Sequence, residues 1–290
     1  MDKKGRDTAP FMIERRIRMS GQILFTDLDD TLLNDRKEVT PGSRRAIEAA
    51  LARGKRIVVA SGRPLSSALI QARRLELAGP GCFVIAYNGA VIYDCTREEA
   101  VSRRPMARED LYAVFDEARR RGAYAHTYDR EQVVIEERCD RSVAQWYCGR
   151  TDMTFRVIGD VRRDLAETPV KTLVIDREDT GVLEDMERWL GERLSGRVDF
   201  FRSSPQFLEM VTAGVNKGWA VEELCRRLGI PITDAVAAGD EANDISMLRA
   251  AGVGAAMCNG IPAAKEAADY VTQRDNNHDG IAEVIERFLL

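Results

Sequence analysis

Three aspartates, Asp27, Asp29 and Asp30, fall within four positions of the stretch ILFTDLDDTLL, directly after the apolar run ILFT. Two carboxylates about 6 Å apart repel by roughly 3 kcal/mol at an effective dielectric near 20, so a cluster at the end of a buried run needs positive charge close by. A divalent cation is the simplest source. Hard oxygen donors favour Mg2+, which takes one or two carboxylates and keeps room for water and phosphate oxygens. An Asp-rich turn that merely caps the next segment is the plainer alternative. The other motifs of the chain decide between the two.

In VVASGRP, Val58 to Pro64, a hydroxyl residue and a glycine follow a buried run and open a helix. There the Ser61 hydroxyl and the Gly62 amide can face a phosphate, although Ser-Gly is also an ordinary turn. In AGVNKGWAVEEL, Lys217 follows an expected Asn216 cap at a helix start, where the macrodipole opposes a cation. Contact with an anion would explain a lysine at that place. In AAGDEANDISML, Asp240 ends a strand, and Asn243 and Asp244 follow within one helical turn, adding carboxylates to the same sheet edge. Metal-binding anions and phosphate-binding donors thus recur at four strand ends.

The elements that must position them alternate in type. The runs ILFT, RIVVAS and FVIAY read as buried strands separated by helices that start after Thr40-Pro41 and after Pro64. That is the rhythm of a parallel sheet with helices on both faces. It returns near the C-terminus with a helix from about Lys217 to Leu228, the strand AVAAGD, a helix through Ile245 to Ala251, and VGAAM. Between the two parts lie a helix at REDLYAVFDEARRRG, strands at AYAHTY, QVVIEE, KTLVID and RVDFFRSS, and a helix at GVLEDMERWLGERL. This texture predicts an inserted α+β module. The expected division is an extension over residues 1–20, a first core part over 21–103, the insert over 104–206, and a second core part over 207–290.

Bulk properties narrow the function. With 43 basic and 47 acidic residues the formal charge is -4, which gives no global attraction to nucleic acid or an anionic membrane. The first twenty residues hold no apolar run long enough for a signal-peptide core or a membrane span. Six cysteines without a CxxC pair read as free thiols of a reducing cytosol, so the expected location is cytoplasmic. Oligomeric state is not legible.

Taken together, the four motifs resemble the haloacid dehalogenase superfamily, and within it the subclass IIB, Cof-type phosphatases, from about Gln22 to the end and including AYNGAVIYD and HDGIAEVI. The resemblance implies an α/β, Rossmann-like core with an inserted α+β cap, acting on a small phosphorylated substrate. It implies Asp27 as the nucleophile that forms an aspartyl-phosphate and Asp29 as the general acid and base. The Asp27 carboxylate, the Asp29 carbonyl and the Asp240 carboxylate would hold Mg2+, with Asp244 in support. The Leu28 amide, Ser61, the Gly62 amide, Lys217 and Asn243 would bind phosphate. Asn88 and Arg63 would lie near the substrate. Asp30 departs from the pattern, since relatives usually place glycine there. The leading function is a phosphatase of small metabolites, plausible substrates being sugar phosphates. A sugar-phosphate mutase and a non-catalytic phosphate sensor are the alternatives.

Overall fold

The computed structural model describes residues 21–129 and 132–290; the extension expected over 1–20 lies outside them. Eight strands form the first sheet: β1 (Ile23–Thr26), β2 (Arg56–Ala60), β3 (Cys82–Ala86), β4 (Val91–Asp94), β5 (Glu99–Arg103), β12 (Ala235–Gly239), β13 (Val253–Ala256) and β14 (Tyr270–Val271). Six form the second: β6 (Tyr124–Tyr128), β7 (Gln132–Glu136), β8 (Thr154–Ile158), β9 (Lys171–Ile175), β10 (Val198–Ser204) and β11 (Phe207–Thr212). The first sheet runs in the order β14-β13-β12-β1-β2-β3-β4-β5 and the second in the order β10-β11-β9-β6-β7-β8.

From β14 to β3 the first sheet is parallel, as continuous apolar strands require. Along β1, Leu24 enters one apolar layer while Ile23 and Phe25 enter the other. The first layer takes α1 (Pro41–Ala52), α2 (Leu65–Arg74) and α10 (Gly280–Phe288). The second takes α7 (Lys217–Leu228) and α8 (Ile245–Ala250). Strands β4 and β5 add an antiparallel edge that the sequence reading did not resolve. They are short, and only the single 3-10 turn Tyr87–Gly89 separates β3 from β4.

The second sheet is mixed, with only β7 and β8 parallel. Helices α3 (Arg108–Arg121) and α6 (Val182–Arg193) cover one face through Phe115, Val114, Met186 and Leu190. The opposite face, with Tyr128, Leu173 and Val211, joins the apolar layer of the first sheet. The insert, expected to span 104–206, continues through β11 to Thr212, which pairs in the second sheet. FLEMVT carries only a weak strand pattern because Glu209 stands on a buried face.

The strand ends are set by close backbone approaches. β1 stands between β12 and β2, and Thr26 pairs with Ala238 on one side and Val59 on the other. Here the connections reverse direction across the sheet, the place where open α/β sheets bind ligands. Gly89, at φ 111°, passes so near Asn216 that an added Cβ would lie 2.3 Å from its carbonyl oxygen. Only glycine suits both the angle and the gap. We expect Gly89→Ala to lower unfolding stability by about 2 kcal/mol or more, read by urea titration, because neither the strained backbone nor the Asn216 cap can yield freely.

Candidate active site

Parallel register brings the motifs level. With Thr26 opposite both Ala238 and Val59, the residues that follow, Asp27, Asp240 and Ser61, come within one position of one another along the sheet edge. The Asp27 amide still donates to the Ala238 carbonyl at 3.0 Å, which ties the turn to β12. β1 ends at Thr26, so strand alternation does not extend to Asp27 and Asp29. The two carboxylates instead acquire different partners.

Lys217 is the centre of the buried group. Its Nζ donates to Asp27 Oδ1 and to Asp244 Oδ1, each at 2.6 Å. Asn216 caps α7 as expected, its side-chain oxygen accepting from the Trp219 amide. The anion met by this helix-start lysine is therefore a pair of the chain's own carboxylates. Burial by itself lowers the ammonium's pKa, but Asp244 and Asp27 outweigh it and hold the Lys217 pKa above its usual value.

One cation does not balance three acids. Burial pushes the Asp27 carboxyl up to about 8, with Asp244 and Asp240 adding to the shift against the pull of Lys217. Burial also raises Asp240 to about 6, although Thr31 Oγ1 donates to its Oδ1 at 2.5 Å. Carboxylate oxygens of Asp27, Asp240 and Asp244 lie within 4.8 Å of one another, so this triad could bind a metal ion. Their hard oxygen atoms and their excess negative charge fit Mg2+. Asp244 stands apart from the other two: its Oδ1 accepts from Lys217 and its Oδ2 from the Asp240 and Glu241 amides. Asp27 and Asp240 commit one oxygen each. That difference suits Asp244 to support and the others to ligation.

Asp29 turns away from this group. Arg63 grips it through Nη2 at 3.0 Å and Nε at 3.3 Å to Oδ2, and Lys37 Nζ donates to Oδ1 at 3.1 Å. Burial opposes ionisation there, yet Arg63 and Lys37 prevail and hold the carboxyl below the usual range. Leu28 is buried between the two aspartates. Asp30 adopts φ 58°, the left-handed region. The departure from glycine is thus accommodated by a residue type that tolerates this conformation. Its carbonyl accepts from Asn259 Nδ2 at 2.7 Å, and its carboxylate lies 3.6 Å from Lys37.

After β2, the Ser61 hydroxyl accepts from the Arg63 amide at 3.1 Å. A Cβ on Gly62 would stand 2.9 Å from Asn88 Oδ1, so glycine lets the turn approach this amide. Asn88 is also left-handed, at φ 55°, and its Oδ1 accepts from Asn243 Nδ2 at 3.1 Å. All eleven residues singled out by the sequence therefore lie in two linked groups around the end of β1. Thr31, Lys37, Lys171 and Glu209 join these groups beyond the residues to which the sequence motifs point. Thr31 follows Asp29 by two positions and could have been found from its hydroxyl, whereas Lys171 and Glu209 carry no local signal.

The family described as haloacid dehalogenase-like hydrolase matches residues 24–285. "Putative phosphatase YxeH" of Bacillus subtilis (strain 168) is 33% identical over 273 residues, covering 93% of this chain and 98% of that protein. The 5-amino-6-(5-phospho-D-ribitylamino)uracil phosphatase YcsE of the same organism is 28% identical, covering 93% and 96%. A crystal structure of a haloacid dehalogenase-like hydrolase from Bacteroides thetaiotaomicron is 34% identical, covers 92% of this chain and 99% of its own, and superposes with a TM-score of 0.82. The subclass IIB sugar phosphatase BT4131 shares the fold, with a TM-score of 0.77 at 23% identity, over 92% of this chain and 98% of its own.

Three substitutions, each read by urea unfolding, probe this arrangement. Replacing Lys217 by Met leaves two buried carboxylates without their cation, and we expect a loss of about 3–5 kcal/mol in urea unfolding. Asp30→Gly should stay within about 1 kcal/mol of wild type, since glycine adopts the same backbone freely. Asp30→Val, by contrast, should cost about 1–2 kcal/mol.

Proposed function

The chain belongs to the haloacid dehalogenase-like hydrolases, and from that premise we propose that it is a Mg2+-dependent phosphatase of sugar phosphates working through an aspartyl-phosphate on Asp27. Membership makes it a phosphatase of small phosphorylated metabolites. The observation that carries the finer reading is the buried Asp27–Lys217–Asp244 group beside Asp240, at the switch point of a parallel sheet. An ammonium there keeps one oxygen of Asp27 engaged and aims the carboxylate at a fixed place.

In this reading, Asp27 attacks phosphorus in line, and the bond from phosphorus to the leaving oxygen breaks as the aspartyl-phosphate forms. Asp29 gives its proton to that oxygen. It then takes a proton from water, whose oxygen attacks phosphorus, releases phosphate and restores Asp27. In the free protein Arg63 and Lys37 favour the ionised, basic form of Asp29. An anionic ester beside it opposes them and favours the protonated form required by the first step. The Leu28 and Gly62 amides, the Ser61 hydroxyl, the Lys217 ammonium and the Asn243 amide spread charge from the phosphate oxygens. The Asp27 and Asp240 carboxylates and the Asp29 carbonyl, with Asp244 behind them, would hold Mg2+, whose charge would offset repulsion between the anionic nucleophile and the anionic ester.

A phosphorylated polyol chain appears in the named substrate of YcsE, and BT4131 is titled a sugar phosphatase, which supports testing this substrate class first. None of the six cysteines is in a disulfide, in keeping with a cytoplasmic setting. Among the described residues no helix is long and apolar enough to cross a membrane.

Phosphate release from a panel of hexose, pentose and polyol phosphates tests the proposal. Wild type with Mg2+ should turn over at least one member, EDTA should abolish release and added Mg2+ should restore it. Asp27→Asn should lower kcat by about 1,000-fold or more. Full activity in that variant would rule out the covalent route, and inactivity of wild type on every ester would rule out the substrate class.

A further inference from the structure

The inserted sheet sends a charged pair into the phosphate-binding loops. Glu209 on β11 stands opposite Leu173 on β9, and Lys171 lies two residues before Leu173, so the two charged side chains share one face as diagonal neighbours. Lys171 is 1% exposed. Its Nζ lies 2.6 Å from Glu209 Oε2, donates to the Gly62 carbonyl at 3.2 Å and stands 5.9 Å above the Tyr128 ring. Glu209 Oε2 also accepts from Asn88 Nδ2 at 3.3 Å, while Oε1 accepts from Ser203 Oγ at 2.7 Å. Two hydrogen bonds thus cross from insert to core, one to the turn after β2 and one to the amide beside Asn243.

Stability does not account for this pair. Burying two ions costs several kcal/mol each, and well-packed apolar residues in their place often do as well or better. An apolar pair could not, however, donate to the Gly62 carbonyl or accept from Asn88. An ionised carboxylate only accepts, so Glu209 draws the Asn88 amino group toward itself and leaves Asn88 Oδ1 to meet Asn243 Nδ2. A carbonyl held by an ammonium likewise fixes the peptide planes of the Ser61–Gly62 turn. Ser203 on β10 holds Glu209 Oε1 within the insert, which leaves Oε2 to join Lys171 to Asn88 of the core.

We propose that Lys171 and Glu209 are positioning residues, a clasp by which the inserted module orients the Gly62 turn and the Asn88–Asn243 amides for phosphate. The clasp rests on the phosphatase reading above. Since it serves the phosphoryl end of the substrate, its loss is felt alike whatever the leaving group.

Four proteins test it: wild type, Lys171→Met, Glu209→Leu and the double variant, each assayed with p-nitrophenyl phosphate and with whichever sugar phosphate wild type hydrolyses. Thermal unfolding is measured alongside, with inorganic phosphate as competitive inhibitor. Each single variant leaves one buried charge unpaired and should unfold at a lower temperature. The double variant should regain the wild-type unfolding temperature, yet stay about 30-fold or more below wild type in kcat/KM for both esters, with phosphate binding about tenfold weaker. Recovery of the double variant to within about threefold of wild type would reduce the pair to a structural role and overturn the clasp. A loss confined to the sugar phosphate would overturn it too, by placing the pair against the leaving group. Should the double variant not fold, Glu209→Gln takes its place: about a tenfold fall in kcat/KM at unchanged unfolding temperature supports the clasp, and an unchanged rate overturns it. A wild type that hydrolyses neither ester would overturn the phosphatase reading itself.

Discussion

An ammonium buried between two buried carboxylates is costly to desolvate, and removing any member leaves an unpaired charge in the interior. Lys217 stands in that position between Asp27 and Asp244. The loops at this end of the first sheet are arranged so that the three meet. β1 and β12 must lie side by side and in parallel register for Asp27 and Asp240 to come level. Helix α7 must start at the same edge, so that Asn216 caps it while Lys217 points inward. Helix α8 must approach closely enough for Asp244 to reach the ammonium, which Gly218 permits, since a Cβ there would sit 2.4 Å from the Ser246 carbonyl oxygen. Even so, three acids share one lysine, and the raised pKa values of Asp27 and Asp240 record the remaining deficit of positive charge. That deficit is what suits the site to a divalent cation.

The second constraint separates two carboxylates that the sequence places only two residues apart. Past Thr26 the chain leaves the strand, and the left-handed Asp30 helps to carry it through the turn. Asp27 faces the lysine and its fellow acids, whereas Asp29 faces Arg63 and Lys37. One acid is raised in pKa and the other lowered. Pairs of acids with divergent environments can divide nucleophilic and proton-transfer work between them.

The inserted module depends on the same edge. Its sheet is covered by α3 and α6 on one face, and the other face continues the apolar layer of the core, with Tyr87 and Tyr128 in edge contact at 5.3 Å. Polar groups on that face must find partners where water is excluded. Lys171 and Glu209 find them in each other and in the loops that carry Gly62 and Asn88.

The core strands and the motif residues at their ends were legible in the sequence, because buried parallel strands are continuous apolar runs and turn chemistry is local. ILFT, RIVVAS and AVAAGD announce β1, β2 and β12, with Asp27, Ser61 and Asp240 at their ends, and the Asn216 cap announces the helix start that carries Lys217. At Asp30, where the resemblance leads one to expect glycine, the backbone takes φ 58°, the left-handed conformation that glycine adopts freely. β11 and the edge strands were not legible, since a buried glutamate interrupts the first and short length conceals the others. Residue types and order along the chain therefore determined the class of chemistry. Only the tertiary structure decided which charges pair: Lys217 with Asp27 and Asp244, Arg63 with Asp29, Lys171 with Glu209. The reason is physical: these partners lie tens to hundreds of residues apart, and charge pairing in a low-dielectric interior is set by distance and burial, neither of which a sequence carries.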